Sequence, residues 1–460
     1  MLQREQLEKI IKKALSSGGD YADVFIERRR PMFIALEDGN IEKVSMGSIG
    51  GAGLRVLFDG KTAYATTNEI SEDSLMGLAS SLAKAVSKGE DSASASHLDA
   101  GRYESPPAEL SNSVSIDLKA GILTEADRAA RGRHPSVRQV SAVYRESVQE
   151  ILVAASTGEY ATEERIISTG MVNVVASRDG QVQTGYEAIS GTLGFEDLFG
   201  SESLLDAALT AADRAEALLG ARRAQGGRMQ VVIASRAGGT MIHEAIGHGL
   251  EGDLTGQGLS RFSGMQGMKV ASDLITVIDD PTLSGKRGSY SFDDEGVRAR
   301  RNVLVESGVL KGYMHDRLSA MKAGVEPTGN GRRESYRHRP VPRMSNTFIA
   351  PGQSGPNEII RSVDKGLLVM RMGGGQVNTV TGDFVFDVGE GYIIEKGIQG
   401  ELVRGATLTG NGPEVLMSID MVGNDLGFSI GTCGKDGQGV PVSDAMPTLR
   451  IPDIVVGGEI

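Results

Sequence analysis

The sequence predicts an α+β protein: a duplicated α/β N-terminal region, then a β-rich C-terminal domain carrying one helix with two histidines. Two observations lead to this. A helix–strands–helix order occurs twice before residue 226, whereas short β-prone runs dominate afterwards. Glycine supplies 62 of 460 residues, about twice the usual share, which favours turns and hairpins over long helices. The length suits two to three domains with ample core. The composition divides the chain into 1–226, with a connector at about 87–114, and 227–460.

Taken in order, Leu7, Ile10, Ile11, Ala14 and Leu15 recur at helical spacing, predicting a helix from Arg4 to Ser16 that Gly18-Gly19 ends. Tyr21 to Glu27 and Met32 to Glu37 read as two strands, with an Asp38-Gly39 turn into Ile41 to Val44. Leu54 to Phe58 is a further strand, turning at Asp59-Gly60. Ser71 is placed to N-cap a helix reaching Val86, with Glu72 and Asp73 in its first turn. The Ser-, Ala-, Asp- and Pro-rich stretch that follows is a connector, and His97 within it reads as solvated, as does His134 beside Pro135. The plan then repeats. A helix from Ile116 to Ala130 precedes strands Val137 to Arg145 and Val148 to Ala155, turning at Thr157-Gly158. Val172 to Val175, Asp179-Gly180, Tyr186 and Ala188 echo Leu54, Asp59-Gly60, Tyr64 and Ala65. A helix with Leu204, Leu205, Ala208, Ala212, Ala215 and Leu219 expected on one face closes this unit. Beyond Met229 to Ala234, the strand candidates are Leu274 to Ile278, Val303 to Val305, Val309 to Tyr313, Phe384 to Phe386, Tyr392 to Glu395 and Glu401 to Val403. Ser307-Gly308 and Lys396-Gly397 supply turns among them.

A formal charge of −12 argues against nucleic acid or an anionic membrane as partner. No apolar run approaches the roughly 20 residues needed to cross a bilayer. The polar N-terminus lacks a secretory core, and a single cysteine excludes an internal disulfide; both fit a cytoplasmic protein. The basic run Arg332 to Arg339, with Arg343, could grip phosphate or a peptide carboxylate. In an acidic chain, internal partners such as Asp293, Asp294 and Glu295 are the better expectation.

The chemistry concentrates in His243-Glu244-Ala245-Ile246-Gly247-His248. Two imidazoles and one soft or anionic group make a three-point zinc site with a fourth position for water. A carboxylate beside the first ligand could take a proton from that water. Histidines five apart are separated by roughly 140° on an ideal helix, so a shared ion requires a local π-type turn, which Gly247 would ease. A regular helix through His248 would instead mean two unrelated buried histidines. Cys433, the only cysteine, is flanked by glycine and has no apolar neighbours at strand spacing. It reads as a third ligand, with Lys435 favouring thiolate; a small buried hydrophobe and a nucleophilic thiol are the alternatives. The same donors accept iron or cobalt as well as zinc.

With Gly288 to Gly296, Thr328-Gly329-Asn330-Gly331-Arg332-Arg333-Glu334-Ser335-Tyr336, Glu390 to Glu395 and Cys433 to Gln438 added to the histidine motif, the chain resembles the TldD/PmbA family of metalloproteases, in its TldD branch. Ala22-Asp23-Val24 and Asp38-Gly39 extend the likeness over essentially the whole chain. The resemblance implies one zinc per active subunit, held by His243, His248 and Cys433, with Glu244 as general base. It implies unfolded peptides as substrates, among them a peptide antibiotic precursor and a small antitoxin. The implied partner is a PmbA-like (TldE) paralogue lacking the histidines, forming a heterodimer, with a homodimer when the chain is alone. The alternative it carries is a non-proteolytic modulator of DNA gyrase with a structural metal. A β-rich domain suits an extended peptide, whose backbone it can pair. Arg332, Tyr336 and His338 are the candidate substrate or oxyanion contacts.

Overall fold

The computed structural model describes residues 2–86, 103–104 and 114–459, so most of the connector and His97 lie outside the described residues. The fold is α+β, with an α/β N-terminal region and a β-rich, barrel-containing C-terminal region. The two N-terminal units merge into one eight-stranded sheet. Its centre is three long strands, Tyr21–Glu37, Val137–Ala155 and Tyr160–Arg178. The first two were each expected as a pair of shorter strands. Tyr21–Glu37 runs on through Pro31, whose carbonyl accepts from Gly47 N. The missing N–H therefore points the same way, into the gap where pairing passes from Ile49–Phe58 to Asn40–Met46, and no ladder bond is lost. Residues 103–104 add a two-residue strand parallel to Ala161-Thr162.

Helices Arg4–Ala14 and Glu72–Ala85 cover one part of this sheet; Ile116–Arg133 and Leu204–Gly220 cover the other. Ser71 Oγ accepts from Ser74 N, the cap its position suggested. The opposite face is buried too, which explains a strand start with seven consecutive buried residues. Ala22, Val24 and Ile26 pack under the helices, while Phe25 meets Phe292 and Tyr336 from the C-terminal region. Gly51 makes that docking feasible, since a Cβ there would sit 2.3 Å from the Tyr336 ring.

In the C-terminal region, Gly227–Ile233, Leu449–Gly457, Thr407–Asn411, Asp383–Glu395 and Lys365–Val377 pair in a closed five-strand cycle. A separate six-stranded sheet ends in the hairpin Gly427–Lys435 and Gln438–Met446. Strand Leu274 to Ile278 shrinks to Val277–Asp279, and Val309 to Tyr313 to Val309–Leu310. The expected turns Asp38-Gly39, Asp59-Gly60, Asp179-Gly180, Ser307-Gly308 and Lys396-Gly397 all have positive φ at both residues, as does Asp436-Gly437. That is the type I′ hairpin geometry matching strand twist. No helix among the described residues is long and apolar enough to cross a membrane.

A dense set of buried charges joins the two regions. The expected internal role of the basic run holds for Arg333, which donates from N to Asp294 Oδ2 at 2.8 Å and from its guanidinium to Asp294 O. Nearby, burial and the Glu295 carboxylate push Asp316 up to about 7. An unfolded aspartate titrates near about 3.9. The folded state thus holds the proton more tightly, and stability from this group is full below about pH 4 and lost as pH rises through about 7. Asp316→Asn keeps the helix cap on Ser319 N and removes the titration. Chemical denaturation should show the variant gaining on the order of 1–3 kcal/mol at pH 8 and flattening between pH 5 and 7.5. An unchanged slope would contradict the assignment.

Candidate metal centre

Strand Gly227–Ile233 delivers the chain to a short turn at Ser235–Ala237, and the histidine segment follows. Thr240–Ile242 is α-helical, His243–Gly247 is a π-turn and His248–Leu250 is 3₁₀. The His248 N–H bonds to the His243 carbonyl, so the widened turn is closed between the two histidines themselves. The rings consequently lie on one side, with centroids 4.9 Å apart and planes at 85°. Gly247 serves this turn differently from the expectation. Its φ of −55° is ordinary for any residue. What it provides is space, because a Cβ there would lie 2.1 Å from Met344 Sδ.

Cys433 comes from the hairpin and stands 3.6 Å from His248 Nε2. One donor atom each from His243, His248 and Cys433 falls within a 4.8 Å cluster. Cys433 lies in a strand, and its apolar neighbour is Val440, across the hairpin rather than along the chain. Its carbonyl accepts from Arg343, a guanidinium with no exposed surface. Each histidine is held from behind by a carboxylate. His243 Nδ1 is 2.9 Å from Asp444 Oδ1 and His248 Nδ1 is 3.1 Å from Glu251 Oε2, leaving both Nε2 atoms for the cluster. Lys435 Nζ in turn binds Glu251 Oε2 at 3.1 Å, Asp253 Oδ1 at 2.7 Å and Pro342 O at 3.1 Å.

The electrostatics follow. Burial pushes the Cys433 thiol up, but His243 and His248 outweigh it and bring the group down to about 6. The histidines, not Lys435, favour thiolate, since the lysine's ammonium is engaged by carboxylates and a carbonyl. His248 rises to about 10, burial being overcome by Glu251 and the sulfur. Glu251, fully buried, falls to about 2 under His248 and Lys435. Glu244 is half-buried and makes no hydrogen bond or ion pair with the described residues.

The donor types suit a tetrahedral ion, and the Cys433–His248 pair already has its spacing. Bonds of about 2.0–2.3 Å place neighbouring ligand atoms roughly 3.3–3.8 Å apart, the range in which the Cys433–His248 contact falls. Carboxylates behind metal-binding imidazoles are the usual outer support. Glu251 could have been suspected three residues after His248; Asp444, 201 positions from His243, left no sequence signal.

The three candidate contacts are not gathered here. Arg332 donates to the carbonyls of Met344 and Pro441 and lies over the Tyr290 ring. Tyr336 is buried, its N–H on Glu27 and its carbonyl on Tyr64 Oη. His338 Nδ1 is 3.0 Å from Ser335 Oγ. His134, expected to be solvated, is half-buried and 2.6 Å from Asp213 Oδ1.

A fold of this kind with such a site belongs to the metallopeptidases, and sequence comparison says which. Models of the PmbA/TldA metallopeptidase match in three pieces: domain 1 over residues 22–93, the central domain over 109–219 and the C-terminal domain over 226–458. A metalloprotease TldD homolog of Haemophilus influenzae is 38% identical over 452 residues, 95% of this chain and 93% of that protein. A metalloprotease of Methanocaldococcus jannaschii is 34% identical, covering 98% of this chain and 99% of the relative. The chain therefore belongs to the PmbA/TldD metallopeptidase family, on its TldD side. Among solved structures, TldE from Thermococcus kodakarensis superposes with a TM-score of 0.79 at 20% identity, over 98% of this chain and all of the other. A protein of Thermotoga maritima described as a putative modulator of a DNA gyrase gives 0.80 at 22% identity, over 98% of this chain and 99% of that one. At such identities these last two share the fold.

Proposed function

We propose that this chain is a zinc-dependent endopeptidase acting on unfolded or extended peptides, with zinc held by His243, His248 and Cys433 and with Glu244 as general base. The observation that carries the reading is the π-turn, which sets two histidines five residues apart beside one distant sulfur. Zinc bound there would supply Lewis acidity toward a water and a scissile carbonyl. The chain's own residues supply the rest. Asp444 and Glu251 fix the two imidazole orientations, Lys435 fixes Glu251, and Arg343 anchors the backbone of Cys433. Glu244, without a hydrogen-bond partner among the described residues, takes the proton of the attacking water and returns it to the departing amine. Strand Gly427–Lys435 is paired on one side only, which leaves backbone groups beside the site for an extended peptide. We also place the chain in the cytoplasm, with a division at 226/227 and a PmbA-like paralogue as its partner. The likeness to TldE supports that partnership.

A nucleophilic thiol is the competing chemistry, and Cys433 separates the two. Cys433→Ser should lower zinc affinity by more than about 100-fold, beyond the usual effect of an outer-shell change. Metal content after mild chelation reads this directly. A thiol hydrolase would keep its activity in chelator and lose it to alkylation.

A further inference from the structure

A cavity of about 370 Å³ lies between the N-terminal sheet, at Phe33 and Ser147, and the hairpin at the cross-strand pair Thr432 and Pro441. Thr432 and Cys433 are consecutive in a strand, so their side chains leave opposite faces. The cavity is thus on the far side of the hairpin from the histidines. Six arginines and three carboxylates line it, in a chain whose net charge is −12.

The carboxylates are already taken. Glu146 is bound by Lys119 and Tyr144, Asp294 by Arg165 and Arg333, and Glu334 accepts from Gly439 N. Among the described residues, three of the arginines form no ion pair with a carboxylate. Arg287 donates only to neutral oxygens, those of Thr169, Ser190 and Gly431. Arg332 is buried, its hydrogen bonds go only to carbonyls, and Asp294 acts on it through charge without pairing with it. Arg145 makes no hydrogen bond and lies over the Phe33 ring. Burial lowers the Arg287 pKa, and the positive charges of Arg145 and Arg332 lower it further. Arg332 is buried, Arg287 half-buried and Arg145 stands at the exposed rim; like charges held together in this way are costly unless an anion compensates them. Guanidinium groups match planar or tetrahedral oxyanions, and the volume suits a small one.

We propose that Arg145, Arg287 and Arg332 form a binding site for a small oxyanion, a carboxylate or phosphate group, on the face of the Cys433 hairpin turned away from the histidines. This does not depend on the peptidase reading. The test is calorimetric titration of the full chain in low-chloride buffer with inorganic phosphate, N-acetylglycine and its uncharged amide. Saturable binding is expected for at least one anion, with the amide at least about tenfold weaker, the loss of one charge-assisted contact. The tighter of the two anions identifies the source of the group. Arg145→Gln, an exposed position that leaves the fold intact, should weaken that anion about tenfold, and Arg287→Gln at least as much. An anion held instead by the metal centre would ignore Arg145→Gln. Failure of both anions to saturate, equal binding of the amide, or affinity unchanged in folded Arg145→Gln would overturn the proposal.

Discussion

Replacing Glu244 by glutamine should lower kcat for an unstructured peptide by about 10²–10⁴-fold, the range of a lost general base, with little change in KM. Glutamine keeps the volume and can donate or accept a hydrogen bond, but it cannot take the proton of the attacking water. Glu244 has no hydrogen bond among the described residues, so the substitution strands no buried partner there. It is also outside the donor cluster, so bound metal should be unchanged. Rates should be measured with and without a PmbA-like partner, with zinc quantified in the same samples. Loss of activity with full metal content isolates proton transfer from metal binding. A variant retaining more than a tenth of wild-type turnover would remove Glu244 from the mechanism.

The part of this site that could be read in advance was local. A five-residue spacing conflicts with a regular helix, and the chain resolves the conflict by the wider turn the spacing demanded. Amphipathic helices such as Arg4–Ala14 and Asp-Gly hairpins are legible for the same reason, since their determinants lie within a few residues. What escaped notice depends on distant pairing. Strand Lys365–Val377, not among the expected strands, contains Gly373-Gly374-Gly375, and a Cβ on Gly375 would strike the Phe386 ring at 1.8 Å. The glycine is there for its neighbour across the ladder. Asn346–Ile349 pairs in parallel with the strand from Gln438, a partnership that no local pattern encodes. Cys433 looked isolated because its packing comes from Val440 and Arg343, and Asp444 went unseen behind His243 for the same reason.

Arg55→Met should destabilise the chain by about 3–5 kcal/mol, the cost of breaking a buried ion pair from one side. Arg55 is 1% exposed, donates from Nε to Asp23 Oδ2 at 2.7 Å and pairs with Glu295 Oε1 at 2.7 Å. Asp23 is its cross-strand neighbour within the N-terminal sheet, whereas Glu295 belongs to the C-terminal region. One guanidinium therefore neutralises two fully buried carboxylates and couples the two regions. Methionine restores most of the apolar volume, so the loss would come from stranded charge rather than a void. Arg30→Met makes the contrast, since that arginine is 43% exposed beside Glu150 and its pair should be worth less than about 1 kcal/mol. The charge explanation carries a signature of its own. Burial without a counter-charge disfavours a carboxylate's ionised form, so the deficit should shrink as pH falls. Adding Asp23→Asn to Arg55→Met should recover part of the loss at pH 8 and little at pH 5. A deficit constant across that range would assign the effect to packing instead, at a junction where Phe25, Phe292 and Tyr336 also cluster.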